Sequence, residues 1–287
     1  MSNPTAAFQS DDIMSADGTR LHFEARLAVA PRGHLLFVHG FAEHCGRYES
    51  LSETCVDAGY SAYHFDYRGH GRSDGKRGHI FRFQEYLEDF TAFRSQASSV
   101  IDDDAPVYVL AHSYGGLISA SALSRDSGGI SGVILSSPFF GFAVKIPRWK
   151  SVAGHVLSRY IPSVALPTDI DPSIVSHDPA TIAEYGEDPL IGRVASARWL
   201  TETEDAHEAL RASAAGLTIP VLLQQAGEDK LVDKAASQTV FDLFSAQDKT
   251  YREYADQYHE LWFELDRAQM IGDALDWLTE RSDSNDG

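Results

Sequence analysis

A serine lies in a short turn of the kind that presents a nucleophile. Residues 109–117 read VLAHSYGGL, and Ser113 follows an apolar stretch and precedes a helical one. The stretch nearly matches G-x-S-x-G, the sharp turn between a strand and a helix that exposes a serine hydroxyl. Its first glycine is replaced by Ala111, which adds one methyl group on the strand side. Taken alone, this stretch is consistent with a nucleophile and with an ordinary turn.

A serine hydroxyl needs a base, and the base needs a carboxylate that orients it. At a turn of this type, the acid and then the histidine follow the serine along the chain. Asp229 comes just after the apolar run at 219–227, and His259 follows a predicted strand at 250–255. The order and the positions therefore predict a triad of Ser113, Asp229 and His259.

Few other residues could serve as the acid and the base of this triad. Asp233 is a rival acid, but it lies at the start of a predicted helix at 234–247, where negative charge stabilises the helix N-terminus. His259 is the last of 12 histidines and the only one after His207. Asp229 and His259 are thus favoured over the alternatives.

Two backbone amides are candidates for the oxyanion hole that acyl transfer requires. One is the amide of Tyr114, which follows the serine at a helix N-terminus. The other should come from the loop after an earlier strand, where His39 and Gly40 precede Phe41. We expect the amides of Phe41 and Tyr114 to bind the oxyanion, although a plain strand-to-helix turn at Phe41 is the alternative.

The elements that must position these residues alternate between strands and helices. Most of the apolar runs are continuous, as expected for strands covered on both faces of a parallel sheet. The predicted strands are 17–27, 34–40, 60–66, 106–112, 132–138, 219–227 and 250–255, and the main predicted helices are 80–101, 113–124, 234–247 and 260–280. This alternation predicts an α/β fold with a mostly parallel central sheet flanked by helices.

The alternation breaks over residues 139–213, which are rich in proline and aromatic residues and contain no clear strand. A segment of this length is too long for a loop within a compact domain. We therefore expect residues 1–138 and 214–287 to form the core, and residues 139–213 to form an inserted, mostly helical cap over the active site. Ligands of open α/β sheets bind at the carboxyl ends of the strands, where such a cap would lie.

Composition excludes several classes of function. The formal net charge is −18, from 42 acidic and 24 basic residues, which argues against binding to nucleic acid and against electrostatic docking on anionic lipid. The chain has no apolar run long enough to span a membrane, and its start does not read as a secretory signal. We expect a cytoplasmic protein with at most transient membrane contact through the cap.

No metal or organic cofactor is predicted. The two cysteines, Cys45 and Cys55, are too few for a disulfide framework and are expected to be buried thiols. No Cys/His cluster has metal-ligand spacing, and the glycine-rich stretch GHGRSDGKRG lacks the G-K-[ST] of a phosphate loop. We interpret that stretch as a structural turn anchored by Asp66 and Arg68.

Taken together, these motifs resemble the monoacylglycerol lipase and lysophospholipase branch of the α/β-hydrolase fold, which is close to the serine aminopeptidase S33-like hydrolases. The resemblance covers roughly residues 17–280 and departs from the family at Ala111. It implies the same triad and oxyanion amides, and a lid-like cap that binds an acyl chain. The matching segments are HGFAEHCGRY (39–48), DYRGHGRSDGKRGHI (66–80), AHSYGG (111–116), SSPFFGF (136–142), EDPL (187–190), QAGEDKLVD (225–233) and YHELWFE (258–264).

The resemblance also suggests residues that contact the substrate. Glu43 and Arg47 match family positions that shape the polar end of the site, near a glycerol or phosphoglycerol leaving group. A mutual salt bridge that merely holds the loop is the alternative for this pair. In the cap, an apolar tunnel would suit a fatty acyl chain, and its candidate lining residues are Phe142, Val144, Ile146 and Trp149.

Several functions remain open from the sequence. The first is hydrolysis of a monoacylglycerol or lysophospholipid ester through an acyl-enzyme on Ser113. A general carboxylesterase for shorter acyl chains is the alternative, followed by an amino-terminal peptidase, for which Glu184, Glu187 and Asp188 could bind a free amine. A non-catalytic binding protein is expected to lack a triad member, and none is missing. The sequence does not predict an oligomeric state.

Overall fold

The computed structural model describes residues 7–143, 148–168 and 170–283. Eight strands form one sheet in the order β1-β2-β4-β3-β5-β6-β9-β10, and β7 and β8 form a separate two-stranded sheet. The strands are β1 Ala7–Met14, β2 Arg20–Leu27, β3 Gly33–Val38, β4 Tyr60–Phe65, β5 Val107–His112, β6 Gly132–Ser136, β7 Ala165–Pro167, β8 Val194–Ser196, β9 Val221–Ala226 and β10 Lys249–Tyr254.

The central part of the large sheet is parallel. From β4 through β3, β5, β6 and β9 to β10 all neighbours run in the same direction, and only β1 and β2 pair antiparallel with their neighbours. The carboxyl ends of β3, β5, β9 and β10 therefore meet at one edge of the sheet. The predicted mostly parallel sheet is confirmed.

Helices cover both faces of this sheet. Successive residues of β5 point to opposite faces, so that Val109 and Ala111 join one apolar cluster with α2, α3 and α7, while Tyr108 and Leu110 join another with α1 and α8. Cores on both faces explain why the strand sequences are continuously apolar. The helices are α1 Glu49–Asp57, α2 Gln84–Val100, α3 Tyr114–Leu123, α4 Arg148–Tyr160, α5 Pro179–Glu187, α6 Ala197–Ser213, α7 Lys234–Leu243 and α8 Arg267–Ser282.

Some elements differ from the sequence prediction. The strand β1 was not predicted, because AFQSDDIM is mostly exposed along an edge and shows no apolar alternation. The last helix begins at Arg267 rather than near residue 260, because a short 3-10 turn at Leu261–Phe263 comes first. These differences leave the central strands unchanged.

The segment 139–213 contains α4, α5 and α6, and also the short antiparallel pair β7 and β8. The expectation of no strand in this segment was therefore wrong, because three-residue strands are too short to give a periodic pattern. Its division from the core as a cap domain stays a prediction. In the part of the chain described, no helix combines the length and apolarity needed to cross a membrane.

Candidate active site

Ser113 occupies a strained turn between β5 and α3. Its backbone has φ 50° and ψ −116°, in a region that residues with a side chain rarely adopt. The close approach of strand and helix explains the small residue that follows: a methyl group on Gly115 would collide with the carbonyl oxygens of Val38 and His39. Ala111 fits within β5, fully buried between its partners Val38 and Leu135.

The structure brings the three predicted triad side chains into one hydrogen-bonded chain. The distance from Ser113 Oγ to His259 Nε2 is 2.9 Å. On the other side of the ring, His259 Nδ1 lies 2.7 Å from Asp229 Oδ2. Since the carboxylate only accepts, Nδ1 carries the ring proton, and Nε2 of the neutral imidazole is left to accept the serine hydroxyl.

Backbone donors hold the other oxygen of the Asp229 carboxylate. The amides of Leu231 and Val232 each donate to Asp229 Oδ1 at 2.9 Å. The rival Asp233 instead caps the N-terminus of α7, where its Oδ1 accepts from the Ala235 amide at 2.9 Å. The local geometry thus separates the role of Asp229 from that of Asp233.

His259 is almost entirely buried, and its protonation reflects its charged neighbours. Burial favours the neutral ring, but the negative charge of Asp229, the hydrogen bond that the ring donates to Asp229, and the charges of Glu260 and Glu43 outweigh it and raise the pKa of His259. The imidazolium that forms when the ring takes a proton is therefore stabilised by more than one carboxylate.

The two residues predicted to supply the oxyanion amides lie close to the nucleophile. Tyr114 is the first residue of α3, where backbone N–H groups have no partner within the helix. Gly40, which precedes Phe41, lies so close to the nucleophile that an added methyl group would be 3.2 Å from Ser113 Cβ. Phe41 and Tyr114 both line the cavity into which Ser113 opens.

That cavity has a volume of about 260 Å³ and contains both Ser113 and His259. Most of its remaining walls are apolar and come from both the core and the segment 139–213. They consist of Phe41, Tyr114, Phe139, Phe142, Ile170, Val175, Tyr185, Trp199 and Leu231, with Glu43, Thr168, Lys230 and Glu260 as further polar members. An apolar cavity with a few convergent polar groups is the usual form of a small-molecule site.

Residues 29–266 match the family described as serine aminopeptidase, S33. The chain belongs to this family. Phospholipase YtpA of Bacillus subtilis is 33% identical over 246 residues, which cover 85% of this chain and 94% of that protein. An uncharacterised abhydrolase domain-containing protein of Dictyostelium discoideum is 32% identical over 258 residues, or 88% of this chain, but the chain spans only 27% of that protein.

A solved structure supports the predicted fold. The monoacylglycerol lipase of Paleococcus ferrophilus superposes with a TM-score of 0.82 at 29% sequence identity, covering 91% of this chain and 99% of that chain. The α/β-hydrolase fold predicted from the sequence is thereby confirmed, and the chain is a carboxylic ester hydrolase of this fold.

The pair Glu43 and Arg47 belongs to a larger buried network in this S33 chain. Arg47 Nη1 lies 3.2 Å from Glu43 Oε1, as the mutual salt bridge requires. Arg47 also donates to both carboxylate oxygens of Glu260, at 2.9 and 2.7 Å. Glu43 additionally accepts from the Tyr48 hydroxyl at 2.8 Å. Glu43 lines the cavity, whereas Arg47 contacts the carboxylates of Glu43 and Glu260 and is not a lining residue.

Sequence reasoning missed Glu260, although it lies directly after His259. Its backbone amide donates to Val175 at 2.9 Å, which fixes the loop against the segment 139–213. Its position directly after the candidate histidine in YHELWFE could have indicated a role at the site. Its ion pair could not be predicted, because Arg47 lies far away along the chain. The buried ring of His112 lies 4.8 Å from the ring of His259.

The predicted acyl-chain residues have different outcomes. Phe142 lines the cavity, where its ring packs against Phe139 and His207 at centroid distances of 4.8 and 5.6 Å. Val144 and Ile146 lie outside the described residues, and so does the side chain of Trp149. Their contact with an acyl chain stays a prediction.

One group of potential metal ligands occurs among the described residues, away from the triad. It consists of His22, Glu24 and Cys45, whose ligand atoms lie within 4.8 Å of one another. The Arg72 guanidinium already donates to Glu24 at 2.6 Å and lies 3.1 Å from His22 Nε2. Burial also raises the pKa of the Cys45 thiol, which disfavours the thiolate that a metal needs. These contacts fit an ion-pair cluster better than a metal site.

Proposed function

We propose that this protein is a serine esterase that hydrolyses the ester bond of a monoacylglycerol or a lysophospholipid through an acyl-enzyme on Ser113. The observation that carries the proposal is the continuous chain of hydrogen bonds from Ser113 through His259 to Asp229, together with the mostly apolar cavity that Ser113 and His259 line. The phospholipase and monoacylglycerol lipase names of the relatives support a lipid ester as substrate.

In the first half of the reaction, His259 Nε2 takes the Ser113 proton as Oγ attacks the ester carbonyl carbon. Asp229 holds the imidazole tautomer and stabilises its positive charge. The amides of Phe41 and Tyr114 bind the oxyanion, and each such donor contributes about 3 kcal/mol to transition-state stabilisation in comparable enzymes. His259 then protonates the leaving alcohol, which is glycerol for a monoacylglycerol and a phosphoglycerol derivative for a lysophospholipid.

In the second half, water attacks the acyl carbon with His259 again as the base, and the carboxylic acid and Ser113 are released. The apolar walls, including Phe142 and Trp199, bind the acyl chain and exclude bulk water. Glu43 lies at the polar end of the cavity, where its carboxylate oxygens can accept hydrogen bonds from the hydroxyls of the head group.

The peptidase alternative has less support. Of the predicted amine-binding carboxylates, Asp188 already accepts from His44 Nε2 at 2.7 Å. The two cavity carboxylates, Glu43 and Glu260, share the cation of Arg47. The cytoplasmic location and any transient contact of the cap with a membrane stay predictions.

A substrate panel tests the proposal. Initial rates would be measured with acetyl, butyryl, octanoyl and oleoyl monoacylglycerols, with the matching lysophosphatidylcholines, and with aminoacyl nitroanilides. We expect the highest kcat/KM among the octanoyl and oleoyl esters. A maximum at acetate or butyrate would favour the short-chain carboxylesterase, and turnover confined to the nitroanilides would favour the peptidase; either result contradicts the proposal.

A further inference from the structure

The Gly40 carbonyl next to the nucleophile accepts two buried hydrogen bonds. The Tyr67 hydroxyl donates to it at 2.8 Å, and His39 Nδ1 lies 2.8 Å from the same oxygen. Since a carbonyl only accepts, Nδ1 of His39 carries the proton in this contact. The side chains of Tyr67 and His39 are both almost completely buried, so that water does not compete for this oxygen.

Both donors have the protonation that the contact requires. Burial raises the pKa of Tyr67 well above its usual range, so the phenol keeps its proton. Burial also lowers the pKa of His39 to about 3, so the ring is neutral with a single N–H. The two rings stack with a centroid distance of 4.2 Å and an interplanar angle of 12°.

This carbonyl belongs to the same peptide group as the Phe41 N–H. The described residues contain no cis peptide bond, so the carbonyl and the N–H of this planar group point in opposite directions. Fixing the Gly40 oxygen on one side therefore fixes the direction of the Phe41 N–H on the other. Donors on the carbonyl also polarise the amide, which makes its N–H a stronger donor.

The turn after β4 brings the Tyr67 hydroxyl within hydrogen-bond distance of the Gly40 carbonyl. The preceding Asp66 accepts from the amides of Cys45 at 2.7 Å and Arg72 at 2.8 Å, which ties this turn to the loop after β3. Gly71 is required here because a methyl group on it would collide with the Asp66 carboxylate. The glycine-rich stretch that the sequence marked as a structural turn thus also orients a side chain toward the active site.

We propose that Tyr67 is a positioning residue for the oxyanion hole, because its hydroxyl holds the Gly40–Phe41 peptide with the Phe41 amide available to the substrate oxygen. This inference rests on the proposed esterase function. The developing oxyanion depends more strongly on an aligned donor than the ground-state carbonyl does. Loss of the Tyr67 hydroxyl should therefore slow the chemical step more than it weakens substrate binding.

The test compares Tyr67→Phe with the wild type on the best ester of the panel. We expect kcat to fall by roughly tenfold, less than for loss of an oxyanion donor itself, while KM changes by less than about twofold. The affinity for an alkyl trifluoromethyl ketone, which forms a tetrahedral oxyanion adduct with the serine, should fall by a similar factor. A purely structural role would not lower adduct affinity and kcat in parallel.

Tyr86→Phe is the matched control. Tyr86 is also fully buried, and its ring lies 5.0 Å from that of Tyr67, but its hydroxyl has no hydrogen-bond partner among the described residues. Its kcat and ketone affinity should equal those of the wild type. If Tyr67→Phe matches the wild type in both quantities, or changes KM alone, the inference is wrong.

A second pair of variants covers the case in which Tyr67→Phe fails to fold. Asn at position 39 offers an amide N–H near the place of the histidine Nδ1–H, whereas Leu offers none. His39→Asn should therefore retain a higher kcat than His39→Leu, and equal kcat values would contradict control through this carbonyl. Failure of the proposed function is recognised separately, because Ser113→Ala would then retain wild-type turnover.

Discussion

Glu260 and Arg47 form a bidentate ion pair, and Glu260 directly follows the candidate histidine, His259. Arg47 Nη1 lies 2.9 Å from one oxygen of Glu260, and Nη2 lies 2.7 Å from the other. Only 7% of the Arg47 side chain and 1% of the Glu260 side chain are exposed. Glu260 lies in the same loop as His259, and Arg47 lies in the loop after β3. Their ion pair therefore connects the two loops.

Replacing Arg47 should strongly destabilise the protein. Arg47→Gln leaves the Glu43 and Glu260 carboxylates buried beside each other without a cation, which costs about 3–5 kcal/mol in comparable buried pairs. Arg47→Lys keeps the charge but loses the fork, so its cost should be smaller. Urea unfolding followed by circular dichroism measures both, and a Gln variant as stable as the wild type would show that this pair is dispensable.

Replacing each of the two candidate acids should affect kcat differently. Asp229→Asn removes the carboxylate that holds the His259 tautomer, and kcat should fall by about 10⁴-fold, as in the serine protease case. Asp233→Asn changes a helix cap that Asn can also provide, so kcat should be unchanged. Steady-state rates on one ester decide the matter, and the assignment of the acid fails if Asp233→Asn is the more impaired variant.

Glycine is needed at position 115, two residues after the nucleophile, but not at position 272 in α8. Gly115→Ala places a methyl group against the backbone of Val38 and His39, neither of which can move without displacing β3, so we expect loss of activity and of stability. Gly272 in α8 has open space around it, and Gly272→Ala should stabilise by about 0.5–1 kcal/mol through helix propensity. Thermal unfolding and ester turnover test the pair; an active, stable Gly115→Ala variant is the contradicting outcome.

Acid should destabilise the protein below neutral pH. Burial lowers the pKa of His39, His64, His70 and His112 to about 3, compared with about 6.5 in an unfolded chain. Their contribution to stability is present above the unfolded value and is lost as the pH falls from about 6.5 toward 3. His259 has a raised pKa and acts in the opposite direction, but it is a single group, and His207 also has a pKa lowered by burial.

Urea unfolding at about pH 7 and about pH 5 measures this effect. The free energy of unfolding should fall by up to about 5 kcal/mol per pH unit if all four rings bind a proton only in the unfolded chain. His64→Gln removes one of the four rings, and it should reduce the loss between the two pH values. An unfolding free energy that is equal or higher at the acidic pH would contradict the burial of neutral rings.

The residues predicted as the triad could be located from local sequence because each of them follows a strand that the sequence predicts. The strands before Ser113 and Asp229 are continuous apolar runs, and their carboxyl ends meet because they are parallel. The substitution at Ala111 did not disturb the turn, since its methyl group enters the buried cluster that covers α3.

Local sequence was insufficient where a role depends on a distant partner. Arg47 and Glu43 are four positions apart, so their pairing could be anticipated, but the pair with Glu260 joins residues separated by 213 positions. In the same way, the Tyr67 hydroxyl acquires a role only through its contact with Gly40. Such pairs form only when the sheet has assembled, and no periodic pattern in the sequence indicates them.

The central claim is that Ser113 is the nucleophile, and the turnover of Ser113→Ala tests it most directly. Ser119→Ala is the control, because its buried hydroxyl in α3 has no hydrogen-bond partner among the described residues. With both variants folded by circular dichroism, we predict that Ser119→Ala keeps wild-type kcat on a monoacylglycerol and that kcat of Ser113→Ala falls about 10⁶-fold, as for triad serines elsewhere. Turnover by Ser113→Ala near the wild-type rate would contradict the account.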